Sequence, residues 1–276
     1  MTLLAIDIGN TNIKLAVFDG DRLAKTWRLT TRPQTTDDEV AVIVTDLLAA
    51  GAGGEPGTSL DGIDAVAIAS VVPSLTESFA RFSRRRLGSA PFIADAASLA
   101  PLLKTDVPRP NEVGPDRLVN ALAARETYGA PAIVVDAGTA TTFDAVAADG
   151  SFVGGAIAPG PRAMLDALHS ATARLPQVEL RRPPAVIGRD TVSAMQSGAV
   201  HGYAALVHGL VEGMRGELLE GSPDGTRVTV VVTGGHAGEP WLRALPGIDA
   251  FEPELTLRGL HLAFARLHRP IPAAAG

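Results

Sequence analysis

The chain has no cysteine among its 276 residues. That excludes disulfide staples, thiol nucleophiles and Cys-ligated zinc or iron–sulfur centres. Lysine is scarce too, with only Lys14, Lys25 and Lys104, and none of them follows a glycine. A Walker A loop is therefore absent, as is a Gly-x-Ser-x-Gly nucleophile elbow. No apolar run approaches the roughly 18 residues of a membrane helix, and Asp7 interrupts the N-terminal apolar stretch where a signal peptide needs continuity. Basic residues form no dense block and the formal net charge is −6. Neither nucleic acid nor membrane is an expected partner, and a cytoplasmic protein is the expectation.

What is present is a 46% hydrophobic, 20% charged composition, which can bury a real core in one large or two medium domains. Strand patterns cover residues 3–9, 13–19 and 22–30. A helix is predicted over 37–50, with Thr36 as N-cap and Val40, Ile43, Val44, Leu47 and Leu48 at helical spacing. A buried-type strand over 64–70 feeds a helix after Pro73 that carries Leu75, Phe79 and Phe82. Residues 51–62 read as a glycine-rich loop and 270–276 as a disordered Pro/Ala tail.

The pattern then restarts. Strands are predicted at 132–136, 141–147 and 151–157, a long helical region at 190–219, and another buried strand at 227–233. Asp7-x-Gly9-x-Thr11 and Asp136-x-Gly138-x-x-Thr141 each end the strand that opens a three-strand set. Two such halves imply a duplicated α/β fold with the active cleft between them, divided here into residues 1–115 and 116–276. In the first half, an acid, a glycine turn and the run Asn10, Thr11, Asn12 make a hairpin whose amides and hydroxyls can face a phosphate, while the Asp7 carboxylate can hold Mg2+. This hairpin resembles the first phosphate-binding hairpin of the actin, hexokinase and Hsp70 group. Lys14, inside the motif, is a candidate phosphate contact.

A third acid, Asp116, follows Gly114 and Pro115 at a helix start and precedes Arg117. Such a pair can take a proton from a substrate hydroxyl and hold a carboxylate bidentately, although an acid favoured by the helix dipole also explains Asp116. Asp136, at the end of a buried strand and far in sequence from every lysine, needs a counter-charge. One carboxylate with the carbonyls of the Gly138-Thr139 turn suits a large, weakly hydrated monovalent cation, K+ or NH4+. His201 and His208 share a helical face without an acidic partner, so no metal site is assigned to them, and Arg84, Arg85 and Arg86 read as a solvated helix end.

Asp7-Ile8-Gly9-Asn10-Thr11, Gly114-Pro115-Asp116-Arg117, Asp136-Ala137-Gly138-Thr139-Ala140, the Gly154 to Gly160 run, Gly188-Arg189-Asp190-Thr191 and Thr233-Gly234-Gly235, in this order and spacing, resemble type III pantothenate kinase over nearly the whole chain. The resemblance implies an actin-like, ribonuclease-H-like fold and ATP-dependent phosphorylation of pantothenate, the first step of coenzyme A synthesis. It implies that Asp7, Ile8, Gly9, Asn10, Thr11, Asn12, Ile13 and Lys14 hold the ATP phosphates, with Thr139 also touching ATP. Asp116 would be the general base. Gly114, Pro115, Asp116, Arg117 and Thr191 would bind substrate, with Arg117 on its carboxylate, and Asp136 would bind the monovalent cation. A homodimer completing the pantothenate pocket is also implied. Two departures stand out: Pro115 replaces the family's usual alanine, and Val107 replaces a usual tyrosine. Competing readings are a non-catalytic regulatory protein on the same scaffold and another actin-like sugar kinase or phosphatase.

Overall fold

The computed structural model describes residues 1–51 and 57–268, so the centre of the glycine-rich loop and the Pro/Ala tail lie outside the described residues. The first strands form an antiparallel meander of β1 (Thr2–Ile8), β2 (Asn12–Asp19) and β3 (Arg22–Thr30). Helix α1 (Asp37–Ala50) leads to β4 (Ala65–Ser70), which lies parallel to β1. Helix α2 (Pro73–Phe82) leads to a short β5 (Phe92–Ile93), parallel to β4. The sheet order is β3-β2-β1-β4-β5.

Alternation along the strands decides what they bury. Leu4, Ile6 and Ile8 of β1, with Leu15 and Val17 of β2, pack against Val40 and Val44 of α1 and against Leu75 and Phe79 of α2. Helix α1 starts where its sequence demands. Glu39 N donates to Thr36 Oγ1 at 3.3 Å and Thr36 N donates to Glu39 Oε2 at 2.7 Å, a reciprocal capping box. The arginine run after α2 is exposed at the helix end, as expected, and also makes ion pairs. It forms a π-helical turn (Ser83–Leu87) in which Arg85 reaches Asp37, 2.6 Å away in the first turn of α1, while Arg86 approaches Asp38 and Arg84 approaches Glu77. Arg85 and Arg86 tie the end of α2 to the start of α1, because Asp37 and Asp38 lie in the first turn of that helix, while Arg84 pairs within its own helical segment.

After a one-turn α3 (Ala96–Leu99), helix α4 (Pro115–Tyr128) opens on Pro115, whose missing N–H costs nothing at a first helical position. The meander then repeats as β6 (Ala132–Ala137), β7 (Ala140–Val146) and β8 (Phe152–Pro159). Helix α5 (Pro161–Ala171) follows β8. Next come α6 (Thr191–Ser197), a π-helical turn (Gly198–Gly202) and α7 (Tyr203–Leu219). Strand β9 (Thr229–Thr233) lies parallel to β6, and after a one-turn α8 (Pro240–Arg243) the short β10 (Ala250–Phe251) lies parallel to β9. The order β10-β9-β6-β7-β8 is that of the first sheet, so the expected duplication is present strand for strand.

One face of this second sheet, with Ile133, Val135, Phe143, Val230 and Val232, packs on Tyr203, Val207 and Val211 of α7. The π-helical turn changes the helix phase. His201 therefore has a buried Nε2, while His208 is exposed, and the two do not share an environment. Met195 and Val200 are buried inside their own lobe.

The chain ends with α9 (Leu255–His268), on which His261 stacks against Phe18 with ring centroids 4.3 Å apart. By compactness the chain divides into residues 1–123 with 256 onward, and residues 124–255. The sequence reading placed the division at 115/116 and did not foresee the return of α9 to the first lobe. No described helix is long and apolar enough to cross a membrane.

Candidate active site

In the first lobe, Asp7 is half-buried near the end of β1, between buried Ile6 and Ile8, with Lys14 as its cross-strand neighbour on β2. The turn between the strands closes with Gly9 N donating to Asn12 O at 3.0 Å, and leaves Asn10, Thr11 and Asn12 exposed. The end of β3 braces it: Thr31 N donates to Thr11 O at 2.9 Å and Thr31 Oγ1 donates to Gly9 O at 2.6 Å. A polar loop that would otherwise flex is thereby held at both ends. Ile8 and Ile13, carried by the same motif, are buried and anchor it to the core.

Asp116 is positioned from the same strand ends. Val71, just past β4, donates its N–H to Ile8 O at 3.0 Å, and a Cβ on Gly114 would lie 3.7 Å from Val71 Cγ1. That Cβ would also sit 2.4 Å from Asp116 Oδ1, so a larger residue here would push the carboxylate from its position. Asp116 Oδ1 accepts a hydrogen bond from Arg117 N at 2.9 Å. Burial nonetheless holds the Asp116 carboxyl above the usual carboxylate range, against the pull of this bond and of the Arg117 charge. Asp116 and Arg117 are adjacent and both partly buried, and Val107 is partly buried in the preceding loop.

In the second lobe, Asp136 is half-buried near the end of β6 and is followed by a hairpin in which Gly138 N donates to Asp136 O at 3.1 Å, with Thr139 exposed. Gly160 N donates to Thr139 O at 2.9 Å, which fixes the turn from the end of β8. On the other side Gly234, with φ +94°, is pressed against the acid: a Cβ there would lie 2.4 Å from Asp136 Oδ1 and 2.7 Å from Ala137 N. Thr233, one residue earlier, is fully buried and its Oγ1 has no hydrogen-bond partner. On the opposite face of the sheet, Tyr203 OH and Thr141 Oγ1 are 2.8 Å apart. Burial pushes the Tyr203 phenol up to about 12 and the Asp136 charge acts in the same direction.

Thr191 is the first residue of α6 and is exposed. Its neighbour Asp190 is an N-cap, accepting from Ser193 N at 2.8 Å, and that bond lowers its carboxyl from the ordinary value. Val186, Ile187 and Val192 around this turn are exposed, Ile187 at 82%.

The arrangement places exposed polar residues at two hairpin turns, Asn10, Thr11 and Asn12 at one and Thr139 at the other, each beside a half-buried acid. A monovalent cation at Asp136 fits the donors present, since a buried hydroxyl oxygen without a partner adjoins a carboxylate whose position a glycine fixes. Asp7, with exposed polar neighbours, fits a divalent ion that keeps part of its water. The sequence reading quoted Thr233 only within a motif and Thr142 and Asp144 only as strand residues. Their shared face with Asp136 emerges from strand register.

A duplicated α/β fold that ends each central strand in an acid before a phosphate-type hairpin, with a further acid–arginine pair at a helix start, defines an actin-like ATP-dependent kinase. The sequence model of type III pantothenate kinase matches residues 3–213, and the chain belongs to that family. The type III pantothenate kinase of Streptomyces avermitilis is 47% identical over 271 residues, covering 96% of this chain and 98% of that one. In fold, the chain is similar to a conserved Baf family protein from Campylobacter jejuni, with a TM-score of 0.57 at 19% identity over 96% of this chain and 98% of the other. It is also similar to the activator of 2-hydroxyisocaproyl-CoA dehydratase from Clostridium difficile with bound ADPNP, with a TM-score of 0.50 at 12% identity over 99% and 100% of the two chains.

Proposed function

We propose that this chain transfers the terminal phosphoryl group of ATP to the primary hydroxyl of pantothenate, the first step of coenzyme A synthesis. The observation that carries the reading is Asp116, an acid raised by burial and fixed beside Arg117 at a helix start, in a chain whose whole length follows the family. In this reading Asp116 accepts the hydroxyl proton as the oxygen attacks, and Arg117 holds the pantothenate carboxylate. In it the turn at residues 9–12 and Lys14 hold the ATP phosphates, Thr139 adds a second contact to ATP, and Thr191 touches substrate. Phosphoryl transfer asks mainly for positioning and charge stabilisation, which these groups supply without a covalent step. Mg2+ held by Asp7 and a monovalent cation, K+ or NH4+, held by Asp136 would supply positive charge where negative charge gathers.

The pocket for pantothenate is read as shared between two copies of the chain. The apolar Val186, Ile187 and Val192, exposed around Thr191, are the surface that supports a dimer. Pro115 leaves the helix start intact. Val107 lacks the hydroxyl and ring of the family's tyrosine, so weaker pantothenate binding is expected at unchanged chemistry.

The test is an acceptor panel with purified protein, ATP, Mg2+ and K+. Phosphopantothenate as the main product is expected. ATP turnover with a hexose and none with pantothenate would replace the reading with a sugar kinase, and no turnover with any acceptor would replace it with a non-catalytic protein.

A further inference from the structure

Both lobes carry an acid at the same place in the same meander, yet the residues beside it differ. In the first lobe Asp7 has Lys14 across the antiparallel ladder and Ala69 across the parallel one. In the second, Asp136 has Thr142 and Thr233 in those two places. Register partners on neighbouring strands project from the same face, so each acid is the centre of a three-residue row. The first row contains an ammonium group, a monovalent cation tethered to the chain. The second has a hydroxyl where that ammonium stands and another where the alanine stands.

The two hydroxyls are not equivalent. Thr142 Oγ1 donates to Asp144 Oδ2 at 3.1 Å, and Asp144 is fully buried. With its one proton committed to Asp144, the Thr142 oxygen has lone pairs to offer. Thr233 is fully buried and its Oγ1 meets no protein partner, a condition that native interiors rarely retain without an ordered water or an ion. From the far side the backbone of Gly234 limits where the Asp136 carboxylate can turn.

We propose that Thr142, Asp136 and Thr233 supply a row of three side-chain oxygens to the monovalent cation, and that Asp144 is a positioning residue that holds the Thr142 proton away from it. The inference rests on the reading of Asp136 as the cation-binding acid and names the ligands that reading lacks. One carboxylate matches one positive charge, and two neutral hydroxyls replace part of a loosely held water shell. That donor set suits K+ better than Mg2+, which dehydrates reluctantly and demands octahedral geometry. Among the described residues no three His, Asp or Glu side chains gather as a conventional metal cluster, here or elsewhere.

Thr233→Val keeps the shape and removes the oxygen. In tetramethylammonium buffer the variant should melt above the unaltered protein, because an orphaned buried hydroxyl is gone. In saturating K+ the order should reverse. A purely structural hydroxyl gives the same sign in both salts, and that outcome overturns the assignment. Thallium NMR reads binding directly, with Tl+ standing in for K+. Thr233→Val and Thr142→Val should each weaken Tl+ binding about tenfold or more, and Thr233→Ser should restore it. Asp144→Asn should weaken binding in the unaltered protein but not in the Thr142→Val background; an equal loss in both refutes the positioning role. If the unaltered protein neither binds Tl+ nor melts differently in the two salts, the cation reading of Asp136 itself falls. If Asp136→Asn abolishes Tl+ binding while both valine variants bind normally, the row alone is refuted.

Discussion

Asp116→Asn changes a charge and keeps a shape, so it separates the catalytic role of the side chain from its structural one. The amide oxygen can still accept the 2.9 Å hydrogen bond that Arg117 N donates to Asp116. Turnover should lose the proton acceptor, about 10²–10⁴-fold, or roughly 3–5 kcal/mol of transition-state stabilisation. Stability should move the other way. Burial raises the Asp116 carboxyl, so the folded protein binds that proton more tightly than the unfolded chain does. The stability linked to such a group is fully present below its unfolded pKa and is lost as pH rises through the folded value. At neutral pH the unaltered protein therefore keeps a charge that its site disfavours, and Asn relieves it. At low pH the carboxyl is neutral as well, and the advantage of Asn disappears. Thermal unfolding of both proteins from about pH 4 to about pH 8 should show a melting-temperature gain for the variant that grows with pH, each kcal/mol amounting to about 2–4 °C in a chain of this size. The acid limb of the unaltered enzyme's kcat/KM should fall at a pH above the ordinary carboxylate range. A gain that is flat across pH refutes the burial argument, and near-normal turnover removes Asp116 as the base.

Three further outcomes are expected. Gly221→Ala, at φ +73° with open space around it, should lose only left-handed backbone strain, about 1–2 kcal/mol; Gly234→Ala, whose Cβ would meet Asp136 Oδ1 at 2.4 Å, should lose at least twice as much in denaturant melts, and equal losses would mean the contact is soft. Tyr203→Phe leaves the buried Thr141 hydroxyl without its 2.8 Å partner and should cost about 1–2 kcal/mol by the same measurement, with turnover unchanged because the pair lies on the face opposite Asp136. Ile187→Glu, placed on a side chain that is 82% exposed, tests the proposed dimer: light scattering should show a dimer for the unaltered protein and a monomer for the variant, with a raised KM for pantothenate, and a variant that stays dimeric shows that this surface is not the interface.

Much of the fold was legible because it is local. Alternating strands around two acids, a capping box at Thr36 and a proline at the start of α4 are each written within a few residues, and each appears where the sequence puts it. What the sequence hides is register and return. Nothing local to Thr142 or Thr233 says that they flank Asp136, since the first reaches it across an antiparallel ladder and the second across a parallel one from a strand nearly a hundred residues on. The docking of α9 on the first lobe is equally non-local. The helical region read over 190–219 is present, but the π-helical turn that shifts its phase, and with it the face turned to the lobe's own core, is not written in the periodicity.

The chain contains two acids that sequence presents alike, Asp116 in Gly114-Pro115-Asp116-Arg117 and Asp190 in Gly188-Arg189-Asp190-Thr191. Each follows a glycine by two residues at the start of a helix, and each precedes a residue read as touching substrate. Environment drives them apart. Asp190 is exposed and accepts the Ser193 N–H, which lowers its carboxyl, so it remains an anion that caps α6. Asp116 accepts a backbone N–H too, yet burial outweighs that bond and raises it. A lowered acid is a poor proton acceptor and a raised one is a better match to a reaction near neutral pH. In the proposed reading Asp190 therefore serves as the cap of α6, and Asp116 is the acid suited to take the proton.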